Sequence, residues 1–168
     1  MSLIIRPAEA GDIGALTNIL NWHIEHDHSA FFRLQPETEE MQLQELALAD
    51  RDGPHQWLVA VTGGEVIGSA KSKRYREGIV FEQTVETGIN LHPNYLNRGI
   101  GTILYAELLH RLTTVNVHVA VAGIALPNDG SVALHKKLGF KKVGVFEEYA
   151  YLNGRYVSSL WMQKLFNA

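Results

Sequence analysis

The sequence predicts an α/β (α+β) fold. It has a mixed central sheet, an antiparallel first half with a parallel pair inside, and about four flanking helices. Three observations lead there. The turn Thr62-Gly63-Gly64-Glu65 joins two apolar runs as a hairpin does. Later apolar runs alternate with helical stripes, the pattern of βαβ crossovers, which return a strand parallel to its predecessor. Val115 to Ile124 is almost continuously apolar, as a strand covered on both faces should be.

The elements follow in order. Leu3 to Arg6 reads as a first strand broken by Pro7, and Asp12 is placed to cap the helix that follows. Apolar residues Ile13, Leu16, Ile19, Leu20 and Ile24 give that helix one face. His23, His26 and His28 with Asp27 lack a further ligand at helical spacing and read as solvated helix-end histidines, not a metal site. Thr38 opens a second helix, with Met41, Leu43, Leu46 and Leu48 mostly inward, which stops at Asp52-Gly53-Pro54. Strands at Gln56–Val61 and Val66–Lys73 form the hairpin, and a long strand runs from Ile79 to Leu91. A helix follows from Thr102, then the strand from Val115. Asn128-Asp129 caps a helix closed by Gly139, and strands Phe140–Tyr149 and Arg155–Lys164 finish the chain around Leu152-Asn153-Gly154.

Bulk properties narrow the function. The 168 residues, 46% hydrophobic and 20% charged, suit one domain spanning 1–168. Net charge of −3 gives no basic footprint for nucleic acid. The absence of cysteine excludes disulfides, thiolate zinc sites and a cysteine nucleophile. No apolar run approaches the roughly 20 residues of a membrane span. No apolar signal region opens the chain, so a cytoplasmic location is the default expectation.

Residues 89 to 105 carry the chemistry. A strand ends at Leu91, His92-Pro93-Asn94 breaks it, and Asn97-Arg98-Gly99-Ile100-Gly101 leads into a helix. A glycine turn at a helix N-terminus offers free backbone N–H groups and the positive end of the helix dipole, so its natural guest is a phosphate. The sequence lacks the Gly-x-x-x-x-Gly-Lys-Ser/Thr loop of nucleoside triphosphatases and a Gly-x-Gly-x-x-Gly dinucleotide turn.

This stretch resembles the acetyl-CoA pyrophosphate loop of the GNAT superfamily of N-acetyltransferases, Gln/Arg-x-x-Gly-x-Gly/Ala, falling on Leu96 to Gly101. Both glycines match, while Leu96 departs. Asn128 to Phe140, with Ser131 and the run Leu134-His135-Lys136-Lys137-Leu138-Gly139-Phe140, resembles a second segment of that family, and the element order agrees along the whole chain. Thr84-Val85-Glu86, Val117-His118-Val119, Ala122-Gly123-Ile124, Leu134-His135 and Gly154-Arg155 are similar to the phosphinothricin and methionine sulfoximine acetyltransferases. Leu152 to Ser158 and the residues between Arg76 and Glu86 depart from that group's pattern.

The resemblance implies a GNAT-type sheet and transfer of acetyl from acetyl-CoA, as co-substrate and without metal, to the amine of a small amino-acid-like acceptor by direct attack. It implies acetyl-CoA binding at Ile89, Asn90, Leu91, Asn97, Arg98, Gly99, Ile100, Gly101, Thr102, Asn128 and Ser131. An amine is mostly protonated at neutral pH, so the site needs a base, a donor for the thioester oxygen and an acid for the leaving thiolate. Glu86 matches the subgroup's base, against the plainer role of a strand carboxylate paired with a cation. The backbone N–H of Leu91 or a neighbour suits the thioester oxygen. His135 stands where many relatives carry a tyrosine acid, against the plainer role of a histidine packed on a helix. A carboxylate on the acceptor calls for a guanidinium, which places Arg76 and Arg155 at the substrate with Phe31 as an apolar wall. Phe146, Tyr149, Tyr151, Tyr156, Leu160 and Trp161 form an apolar patch on the final strands, and the subgroup forms homodimers, so a homodimer is expected. The alternatives are a protein N-terminal or lysine acetyltransferase, and a non-catalytic CoA-binding module of the same fold.

Overall fold

The computed structural model describes residues 2–27, 29–30 and 33–166. Seven strands form one sheet in the order β1-β2-β3-β4-β5-β7-β6. They are β1 (Leu3–Pro7), β2 (Trp57–Thr62), β3 (Glu65–Arg74), β4 (Thr84–Leu91), β5 (Val119–Ala125), β6 (Lys141–Leu152) and β7 (Arg155–Leu165). Helices α1 (Ile13–His26) and α2 (Glu39–Leu46) cover one face, while α3 (Ile100–Leu112) and α4 (Asp129–Lys137) cover the other. Every strand pair is antiparallel except β4 with β5, which is the parallel pair that the crossover through α3 requires.

Local chemistry accounts for the turns. Gly63 and Gly64 both have positive φ, 58° and 84°, which the tight β2–β3 hairpin needs. Asn153 and Gly154 do the same between β6 and β7, at 49° and 81°. Thr38 caps α2 by accepting from the Met41 N–H at 3.2 Å, and Asn128 caps α4 by accepting from the Ser131 N–H at 3.1 Å.

Several boundaries differ from expectation. Strand β4 begins at Thr84, because Ile79 to Phe81 turn as a 3-10 segment with Ile79 and Val80 exposed. Strand β5 begins at Val119, not Val115. Asp12 does not cap α1. It is buried and takes a two-pronged pair from Arg6 at 2.7 and 2.8 Å, which holds its carboxyl below the usual range. Helix α2 stops at Leu46, and Met41, Leu43 and Leu48 face outward. The buried residue of α2 is Gln42, whose amide donates to Glu37. Tertiary pairing has overridden the apolar count of this short helix.

The main core lies between the sheet and α3, with Tyr105, Leu104, Leu108 and Leu112 against Leu58, Ile67, Val85 and Ala120. A second cluster joins Ile13 and Leu16 of α1 to Trp57, Val59 and Val61. Gly68 stands opposite Leu91 in the β3–β4 ladder. A Cβ there would collide with the Leu91 side chain and stand 2.9 Å from the Asn90 carbonyl. Gly68→Ala should therefore cost about 1–3 kcal/mol by overpacking, read as a lower denaturant midpoint at unchanged slope; an unchanged midpoint would show that the sheet absorbs the methyl.

Candidate active site

The site forms where the sheet opens. Strands β4 and β5 pair only over Thr84–Glu86 with Val119–Val121. Beyond that, β4 stays with β3 as far as Leu91, and β5 stays with β7 as far as Ala125. The two diverge and leave a cleft of about 900 Å³ between them. Its walls include Thr87 to Leu91, Gly123 to Ala125 and Trp161.

Register decides what β4 shows to this gap. The His92 N–H donates to the Ile67 carbonyl at 2.8 Å, so Gly68 and Leu91 form a non-hydrogen-bonded pair. By alternation, Ile89 and Leu91 turn their N–H and C=O groups away from β3 and into the gap. The side chains of Glu86 and Asn90 face α1, as would a Cβ at Gly88, on the same side as their partners Lys73, Ser69 and Lys71. A Cβ at Gly88 would meet nothing within 4 Å, so the cleft floor is open there.

At the mouth, Asn97 and Gly99 have positive φ of 58° and 79°, and Gly99 starts α3 without a side-chain cap. The first α3 donors to find a carbonyl are Thr102 and Ile103, both on Gly99. That leaves the N–H groups of Ile100 and Gly101 as orphan donors at the positive end of the helix. A Cβ on Gly101 would stand 3.2 Å from the Leu91 side chain, so the helix start packs closely on β4. Asn97, Gly99, Gly101, Thr102, Asn128 and Ser131 all line the cleft.

Comparison with known proteins matches this arrangement. Residues 19–140 fit the model of the Acetyltransferase (GNAT) family. The chain belongs to the GNAT family. A phosphinothricin N-acetyltransferase of Streptomyces coelicolor is 35% identical over 162 residues, covering 95% of this chain and 94% of the relative. An L-methionine sulfoximine/L-methionine sulfone acetyltransferase of Salmonella typhimurium is 29% identical, covering 96% and 93%. The crystal structure of a phosphinothricin acetyltransferase from Sinorhizobium meliloti with acetyl-CoA superposes with a TM-score of 0.90 at 28% identity, covering 99% of this chain and 90% of that one. The GNAT fold and the kinship with the phosphinothricin and sulfoximine enzymes agree with the sequence reading.

Within this GNAT cleft, charged groups gather on the α1 side. Glu86 is partly buried, with Lys73 Nζ 3.8 Å from its Oε1. Lys71 donates to Glu45 of α2 at 2.8 Å and lies over the Trp57 ring at 4.3 Å. Burial pushes the Lys71 pKa down. Burial alone would raise the Glu45 carboxyl, but Lys71 and Arg33 outweigh it and hold it low. Arg33 pairs with Glu37 and stands 3.7 Å from Glu45. Sequence reasoning missed Arg33, Lys71 and Lys73. The one signal for the lysines was their alternate spacing at the end of β3, beside a strand already singled out; Arg33 gave none.

His23 is not a solvated helix-end histidine. It is buried, with Nδ1 2.7 Å from Asp27 and Nε2 2.8 Å from the Leu91 carbonyl. Arg76 and Arg155 are not at the cleft. Arg76 stacks on Tyr75 and Phe81, and exposed Arg155 sits at the β6–β7 turn opposite Leu152. Arg98 lies over the Tyr95 ring, and Ile100 packs against the core, so neither side chain lines the cleft. Phe31 lies outside the described residues. In the apolar patch, Phe146, Tyr149, Tyr151 and Tyr156 are exposed, but Leu160 is buried and Trp161 turns into the cleft.

His135 occupies a different place from that of a free acid. It is buried, Nδ1 donates to the Ser131 carbonyl at 2.7 Å, and burial lowers its pKa. The neutral ring therefore presents a lone pair on Nε2, which accepts from the Tyr105 hydroxyl at 3.1 Å. That hydroxyl in turn meets the Thr87 hydroxyl at 2.6 Å. Burial pushes the Tyr105 phenol well above its ordinary value. Both nitrogens of His135 are engaged, so this histidine anchors α4 to α3 and β4. Tyr105→Phe leaves His135 Nε2 and Thr87 short of a partner and should cost about 1–3 kcal/mol, with the acetyl-CoA dissociation constant unchanged; a wild-type melting temperature would show the network to be dispensable.

Proposed function

We propose that this GNAT protein transfers acetyl from acetyl-CoA to the amine of a small amino-acid-like acceptor by direct attack, with Glu86 as general base. One observation carries the reading: Glu86 stands at the last residue of the β4–β5 pairing, where the sheet opens, with the unobstructed floor of Gly88 beside it. The chain fits acetyl-CoA along the gap. Orphan N–H groups at Ile100 and Gly101 suit the pyrophosphate. The gap-facing backbone of Leu91, with the Asn128 amide, suits the pantetheine arm. The Ile89 N–H, the gap-facing donor nearer Glu86, then suits the thioester oxygen, where charge develops during attack. Glu86 accepts the acceptor's proton, which frees the nitrogen lone pair.

Lys73 replaces Arg76 as the group for the acceptor's carboxylate. An α-amino acid holds its ammonium and carboxylate roughly one hydrogen-bond length apart, and Lys73 and Glu86 are cross-strand partners 3.8 Å apart. Ammonium on Glu86 and carboxylate on Lys73 is the complementary pose. Lys71 and Arg33 line the same cleft but are already paired with Glu45 and Glu37, which leaves Lys73 as the cation facing Glu86. The exposed ladder of Phe146, Tyr151 and Tyr156 supports a homodimer through the β6–β7 end.

Thiol release from acetyl-CoA tests the reading over a panel of amino acids, sulfoximines, simple amines and peptides. Amino acids or sulfoximines should be the best acceptors; activity on peptides alone would favour a protein acetyltransferase. Glu86→Gln should lower kcat by the ~10²-fold of a lost general base while acetyl-CoA affinity holds, and an unchanged rate and pH profile would return Glu86 to a structural role. Lys73→Ala should raise the amino-acid KM about tenfold, the low end for a charged hydrogen bond at a half-exposed side chain. Arg76→Ala should leave it unchanged, and the reverse outcome would restore the arginine.

A further inference from the structure

The pose on Glu86 and Lys73 fixes the acceptor's amine and carboxylate but leaves its side chain unplaced. Alternation along the strands says which residues share that face of the sheet. Val85 belongs to the core under α3 and Thr87 bonds to Tyr105 of α3, so Glu86 between them faces α1. Ala122 and Ile124 of β5 belong to the same core, as do Leu160 and Met162 of β7. Gly123 and Trp161 therefore face α1 as well. The helices α3 and α4, which supply the groups assigned to acetyl-CoA, cover the other face.

Register brings these residues level. Glu86 pairs with Val121 at the end of the seam, so two residues further on Gly88 and Gly123 stand opposite each other across the gap. Gly88 is the partner of Lys71, Gly123 of Trp161, and Trp161 in turn of Gly144. Nothing lies within 4 Å of a Cβ built on Gly88 or Gly144. Gly123 is covered instead. Three adjacent indole atoms of Trp161 would stand 2.9, 3.1 and 3.2 Å from its Cβ. Such nearly equal distances put the ring face, not its edge, against β5. The indole thus leans from β7 toward the gap, and Trp161 lines the cleft. Phe146 of β6 meets it edge-on at 6.4 Å. Its Nε1 is buried and finds no partner among the described residues, so the ring offers the cleft its face.

We propose that Trp161, seated on Gly123, is the specificity-determining residue for the acceptor's side chain, and that it selects an unbranched apolar side chain. This rests on the pose of ammonium on Glu86 and carboxylate on Lys73. With the carboxylate drawn toward β3, the free direction for the side chain is over Gly88 and across the gap to the indole. A flat ring face buries methylene groups and asks for no hydrogen bond in return. The lining residues at that end, Gly123, Ile124, Ala125 and Trp161, carry no charge. A charged side chain would be desolvated there without a partner. Gly123 has its own part, since any Cβ would lift the indole into the slot.

The series alanine, 2-aminobutyrate, norvaline and norleucine tests this, because its members share one ammonium and one carboxylate and differ only in methylenes. In the wild type, kcat/KM should rise about fourfold per methylene, the worth of burying one CH₂. Trp161→Ala should flatten the rise, cutting the norleucine-to-alanine ratio about tenfold, and Trp161→Phe should keep part of it. Gly123→Ala acts in the opposite sense: the displaced ring should penalise norleucine and norvaline more than alanine. Calorimetry should give wild-type acetyl-CoA affinity in all three variants, which shows that they fold. If the series is acetylated but the rise is the same in Trp161→Ala and Gly123→Ala as in the wild type, the role of Trp161 falls and the pose on Glu86 and Lys73 stands. If simple amines are acetylated and no amino acid is, the pose falls and the role of Trp161 falls with it.

Discussion

Three residue pairs join the two halves of this sheet. Thr84, Val85 and Glu86 meet Val119, Ala120 and Val121, and there the parallel pairing ends. On either side each half is a well-bonded antiparallel sheet, continuous through β4 or β5. The short seam is what opens the cleft, because strands that twist and carry different partners cannot stay paired once the seam ends. Opening leaves the backbone of Ile89 and Leu91 with polar groups that no strand satisfies. Such groups are costly to bury unpaired, so the gap is by construction a place for a ligand with amide-like groups of its own.

The two faces of the sheet secure this opening by different means. On the α3–α4 face the link is a neutral hydrogen-bond chain from Thr87 through Tyr105 and His135 to Ser131. Its Thr87, Tyr105 and His135 members are buried and it carries no charge, which suits a core of leucine and phenylalanine. On the α1–α2 face the links use charged groups: His23, paired with Asp27, reaches the Leu91 carbonyl, and Lys71 pairs with Glu45. Helix α2 shows why. Its apolar residues Met41 and Leu43 face outward and its inward residue is Gln42, so Glu45 on Lys71 and the contacts of Glu37 dock it instead.

These linkages concentrate charge at one end of the cleft. Desolvated ion pairs contribute little net stability, and Lys71 illustrates it, since burial works against its own charge. Their value here is directional. Lys73 on β3 and Glu86 on β4 border the open floor at Gly88, and His23 of α1 lines the same cleft.

What the sequence by itself determined is what depends on neighbours along the chain. The glycine-rich start of α3, the Asn128 cap, the tight turns at Gly63-Gly64 and Asn153-Gly154, and the strand and helix order were all legible, because backbone conformation at a turn or cap depends on a few adjacent residues. The motif residues Asn97, Gly99, Gly101, Thr102, Asn128 and Ser131 were found in the same way, and they do line the cleft. Tertiary structure alone decided which side chains point there. Arg76 and Lys73 lie three residues apart, yet only Lys73 shares a face and a register with Glu86. His23 looked like a solvated helix end until α1 packed over β4, 68 residues along the chain, and brought the Leu91 carbonyl to its ring. Register and helix docking are set by the sum of many distant contacts, and no local pattern carries that sum.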